Sequence, residues 1–170
     1  MAPCGVVLAW ANFAKSESPT HILQFLESIF PQPQDKPSYV CIDKACVVLR
    51  TINAHEEWEH WWDTTRFIVD AYHYRNHKAS DGFCREYCNP APIDGSAPNL
   101  VELEQDKDGE WYWKRSFNTE ACEQLNSWLG GFASILKRMN APNFNWFLHV
   151  MLYYHTKFVL KKLEDKDKLL

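Results

Sequence analysis

The 170 residues, 46% apolar and 15% aromatic with eight Trp, are one domain's worth of chain and enough to bury a core. Lys and Arg number 18 against 22 Asp and Glu, a net charge of -4, which argues against a surface that grips nucleic acid through its own basic excess. No run of roughly 18 or more apolar residues occurs, and Met1 to Gly5 does not begin a charged, apolar and small-residue leader, so the reading is no membrane span, not secreted, and nuclear or cytoplasmic. In that setting the six Cys are expected as free thiols or metal ligands rather than disulfides.

Gly5 to Phe13 (GVVLAWANF) is apolar and partly β-branched and predicts a buried strand, followed by the polar Lys15 to Ser18. Ser18 can cap a helix with Pro19 at its first position, and Ile22, Leu23, Phe25, Leu26, Ile29 and Phe30 recur at helical spacing until Pro31 and Pro33. Tyr39 to Ile42 predicts a short buried strand ending at Asp43, with a helix over Ala45 to Ile52. Trp58, Trp61 and Trp62 then form a packing stripe at helical spacing. Phe67 to Val69 is a third strand, ending at Asp70, and His73 to Cys88 is helix or turn. Residues 89–117 read as an insertion: a loop broken by Pro90, Pro92, Gly95 and Pro98, then a hairpin of Leu100 to Glu104 and Glu110 to Phe117 closed by Asp106, Lys107, Asp108 and Gly109. Asn118 or Thr119 can cap a helix reaching about Met139. Another starts at Asn143, carries the apolar stripe Phe144, Phe147, Leu148, Met151, Leu152, Phe158 and Val159, and frays in the mixed-charge run Lys161 to Lys168.

This order describes one α/β domain over 1–170, with a short, mostly parallel sheet, an inserted hairpin and long carboxy-terminal helices. In such sheets catalytic groups collect at the carboxyl ends of strands, where Asp43 and Asp70 both fall, although an Asp there also caps the following helix.

The runs CGVVLAWANFAKSESP, YVCIDKACVVLR, TTRFIVDAYHYRNHK, NPAPIDGSAPNLV and FNTEACEQLNSWLGGFASILKRMN, taken in order, resemble the KDZ (Kyakuja, Dileera, Zisupton) transposase superfamily. More closely, they resemble the fungal cysteine-cluster proteins associated with those transposases. The resemblance implies an RNase-H-like DDE core whose acids hold Mg2+ or Mn2+ for DNA cleavage and strand transfer. It matches Asp43, in D-x-A-C with Ala45 and Cys46, to the second aspartate, and Glu123, in N-T-x-x-x-E-Q-x-N, to the glutamate. Phe67, Val69, Asp70, His73 and His77 match a further segment. The family's first aspartate lies on a strand that the resemblance places upstream of these runs. The expectation is therefore a truncated, catalytically inactive remnant, whose DNA contacts come from other domains or from association with other transposase chains.

A second constellation is thiol and imidazole. His73 and His77 are four apart, as are Cys84 and Cys88, so each pair can project from one helical face, and H-x3-H-x6-C-x3-C suits a tetrahedral structural Zn2+. The same residues also read as ordinary core and surface groups, with Cys41 and Cys46 as core and Cys4 and Cys122 as core or surface residues rather than ligands. The function expected beside the transposase remnant is thus a non-catalytic, zinc-stabilised protein-interaction module.

Overall fold

The computed structural model describes residues 1–13, 16–97 and 99–167. Lys15, Pro98 and Lys168, which the sequence reading places in a linker, a loop and the charged tail, lie outside them. The chain forms two compact units, one of residues 11–119 and the other of residues 1–10 with 120–170.

The first unit is mixed. Helix α1 (Pro19–Ile29) starts as its sequence dictates: the Ser18 side chain accepts from the His21 amide at 3.2 Å, and Pro19 opens the first turn, where its missing N–H costs nothing. Strand β1 (Tyr39–Cys41) leads into α2 (Ala45–Ala54), a short 3-10 turn and α3 (Glu59–Thr64), and the chain returns as β2 (Arg66–Ile68). The two strands pair in parallel, Tyr39 with Arg66, Val40 with Phe67 and Cys41 with Ile68. Helices α4 (Ala71–Tyr74) and α5 (Gly82–Tyr87) follow, then the hairpin of β3 (Val101–Gln105) and β4 (Trp111–Arg115), whose turn is closed by Gly109 at φ 88°.

Side chains alternate across the parallel pair, and both faces are covered, as a parallel sheet requires. Val40, Phe67 and Val69 join Ile22 and Leu23 of α1, Val48, Leu49 and Ile52 of α2, and Trp61 of α3 in the main core. Ile68, with Tyr39 and Cys41, packs on the other side against Ala97, Leu100, Val101 and Phe117. Trp61 is fully buried, edge-on to Phe67 at 5.9 Å, and the Lys36 ammonium lies 4.1 Å from the centre of its ring. This is a packing role for the middle residue of the Trp stripe.

The second unit is helical: α6 (Ala121–Gly130), α7 (Ala133–Leu136) and α8 (Ala141–Asp167). Three expectations are corrected in it or at its edge. Gly5 to Phe13 forms no strand: the Val7 amide donates to Thr156 Oγ1 at 3.2 Å instead of joining a ladder, because a short apolar run can pack on a helix as well as in a sheet. The helix expected to reach Met139 breaks at Gly130 and Gly131, the pair with least helical propensity. Conversely, α8 begins at Ala141, where the Asn140 side chain accepts from the Asn143 amide at 3.0 Å, and runs through the Lys, Glu and Asp tail to Asp167. An open apolar groove between α6 and α8 is lined by Leu125, Trp128, Phe147, Met151, Tyr154 and Phe158 among others.

Candidate metal centre

The parallel register sets the geometry. Asp43 and Asp70 each lie two residues beyond the last residue of their strands, so they occupy equivalent positions past the paired ends Cys41 and Ile68. The turns entering α2 and α4 therefore start from the same edge of the sheet, where an α/β fold gathers its functional groups.

Asp70 is committed there. It caps α4, with Oδ1 accepting from the His73 amide at 2.9 Å and Oδ2 pairing with His73 Nδ1 at 2.7 Å, and its side chain is only 7% exposed. Asp43 is half-buried, and its backbone carbonyl accepts from His77 Nε2 at 3.1 Å. Glu123 lies in the first turn of α6 and belongs to the helical unit, whereas Asp43 belongs to the mixed one.

Among the described residues, one group of three ligating side chains comes together: Cys46, His77 and Cys84, whose donor atoms all lie within 4.8 Å of one another. His77 Nδ1 is 3.1 Å from Cys84 Sγ and 3.7 Å from Cys46 Sγ. The thiols are almost completely buried, at 6% and 1% exposure. Burial pushes the Cys84 thiol up to about 12, with the Cys46 thiol and the Asp81 carboxylate acting in the same direction and Arg50 opposing. Without a cation the thiol is a neutral S–H, and a metal would have to displace its proton.

Three elements deliver these groups. Cys46 is in the first turn of α2, His77 follows α4, and Cys84 is in α5, whose amide is held by its N-cap Asp81 at 3.1 Å. Arg50, one helical turn beyond Cys46, reaches the same Asp81 at 2.6 Å and clasps α2 to α5. This hydrogen bond holds the Asp81 carboxyl below its usual range.

Of the four residues that the sequence pattern offered for zinc, the structure unites His77 and Cys84. His73 is turned to Asp70. Cys88 is fully buried at the end of α5, its amide bonded to the Cys84 carbonyl at 3.0 Å and its own carbonyl accepting from the Val69 amide at 2.9 Å, and it lies outside the group. Cys46 takes a place that the sequence reading gave to the core. The signal that could have found it is the parallel pairing itself, which brings the first turn of α2 beside the segment that follows β2. Compared with known proteins, the chain matches no family model, no curated protein and no solved structure.

Proposed function

We propose that the chain is a non-catalytic derivative of a DDE transposase core, of the KDZ type that its motifs resemble. A parallel β-α-β unit followed by an inserted hairpin and long helices is compatible with an incomplete RNase-H-like core. The observation that carries the non-catalytic reading is the state of Asp70. It stands where such a sheet would offer a second carboxylate beside Asp43, and it is instead a buried helix cap paired with His73. Strand transfer by two metals needs ions about 4 Å apart, held by several converging carboxylates, and a carboxylate locked as a cap is not available to them. With a net charge of -4, the chain does not grip DNA alone, and its contacts in a transposition assembly fall to other chains.

The test is incubation of the pure chain with Mg2+ or Mn2+ and supercoiled plasmid, beside an Asp43→Ala, Glu123→Ala double variant. The expected result is equal, background nicking in both. Nicking by the native chain that the double variant lacks would overturn the proposal.

A second reading is favoured by the convergence of Cys46, His77 and Cys84: a zinc-stabilised module that acts through protein partners. In that reading Zn2+ replaces Mg2+ and Mn2+, because thiolate and imidazole suit the softer ion whereas the hard cations demand oxygen.

A further inference from the structure

We infer that Cys46, His77 and Cys84 bind one zinc ion, with His77 ligating through Nδ1 and the Asp43 backbone carbonyl fixing its ring. This deepens the zinc reading by naming its ligands, and it stands apart from the transposase reading.

Zinc–sulfur bonds of about 2.3 Å and zinc–nitrogen bonds of about 2.0–2.1 Å in a tetrahedron place sulfur and nitrogen donors about 3.6 Å apart. Cys46 Sγ is 3.7 Å from His77 Nδ1, and Cys84 Sγ at 3.1 Å needs to move by roughly half an ångström. Both sulfur–nitrogen separations are thus close to those of a shared tetrahedral ion.

The tautomer follows from hydrogen-bond logic. A carbonyl oxygen only accepts, so the 3.1 Å contact between His77 Nε2 and the Asp43 carbonyl requires the proton on Nε2. In the neutral ring Nδ1 is then a bare lone pair, and it faces the two thiols. A metal-bound His commonly donates its other nitrogen to a carbonyl in this way, which both orients the ring and fixes the ligating atom.

A ligand set also needs support on rigid elements. The Arg50–Asp81 pair holds the first turn of α5 to α2, and the Asp81 cap holds the Cys84 amide, so the two thiols approach from helices already tied together. Arg50 further stacks over the Phe83 ring, 4.8 Å from its centre.

Two neighbours are left out by geometry: His73 is held by Asp70, and the Cys88 thiol is not in the group whose donor atoms lie within 4.8 Å of one another. Among the described residues three ligands thus converge, and the fourth position of the tetrahedron falls to a light-atom ligand outside this group.

The experiment uses the full chain, stripped of metal under reducing conditions and titrated with Co2+, then competed with Zn2+. Expected are one ion per chain and a thiolate-to-cobalt charge-transfer band. Cys46→Ser and Cys84→Ser should each lose about half of that band, and these variants and His77→Gln should weaken zinc by about 100-fold or more, beyond what loss of a supporting residue costs. His73→Ala and Cys88→Ser should keep the stoichiometry and stay within a few-fold in affinity. Full binding by Cys46→Ser, loss of binding in His73→Ala or Cys88→Ser, or a native chain that takes up neither ion would overturn the assignment. X-ray absorption on the zinc-loaded native chain gives a readout that no misfolded variant can confuse. Two sulfur, one imidazole and one further light ligand support the site, whereas three sulfurs or two imidazoles refute it.

Discussion

Replacing Asp70 by Asn separates a structural carboxylate from a catalytic one. A carboxylate held ready for metal is repelled by its neighbours, and removing its charge commonly stabilises the fold. A cap paired with an imidazole behaves in the opposite way. Asn keeps an oxygen for the His73 amide, so most of the cap, worth about 1 kcal/mol, survives. What is lost is the charge-assisted bond to His73 Nδ1, in a class worth about 1.5–3 kcal/mol. The Asp70 side chain is 7% exposed, so solvent screening discounts this little on its side, while His73 at 32% takes the value toward the lower end. The expected loss is about 1.5–2 kcal/mol, a drop in Tm of about 3–8 °C for a chain of 170 residues. Urea melts followed by circular dichroism measure it, with the slope unchanged. Asp70→Asn and His73→Ala should not add, because both remove one bond. A Tm that stays level or rises in Asp70→Asn would refute the structural assignment of Asp70.

Further outcomes follow from other sites. Burial works to raise the Glu27 carboxyl, but its bonds to His60 at 2.5 Å and to the buried Lys36 at 3.4 Å outweigh that and hold it below the ordinary 4.5. Its stabilisation is therefore present above pH 4.5 and lost as pH falls through the lowered value, and Glu27→Gln should flatten the acid limb of the stability curve. Gly130→Ala should stabilise by about 0.5–1 kcal/mol, since nothing lies within 4 Å of the added methyl and Ala is the better helix former; a lowered Tm contradicts it. Gly109→Ala should cost about 1–2 kcal/mol in a urea melt, because its φ of 88° is a strain for any residue with a Cβ.

The amino-acid sequence by itself determined the elements whose causes are local. Ser18 and Pro19 set the start of α1, Gly109 closes the hairpin, and the short apolar runs ending near Asp43 and Asp70 become β1 and β2 within one residue of their expected bounds. Local causes misled where two structures satisfy one pattern: Gly5 to Phe13 can lie on a helix as readily as in a sheet, and apolar spacing could not outweigh Gly130 and Gly131. The candidate metal centre was half legible. His77 and Cys84 carry a ligand spacing, but Cys46 is 31 residues from His77, and no periodicity relates them. Only the parallel pairing of β1 with β2 brings the start of α2 to the segment after β2. A local i,i+3 contact, by contrast, makes Asp70 the cap of α4 and holds His73 to it, the capping role that an Asp at a strand end also offers. Which of several chemically able side chains converge is fixed by where backbones cross, and that is a property of tertiary structure.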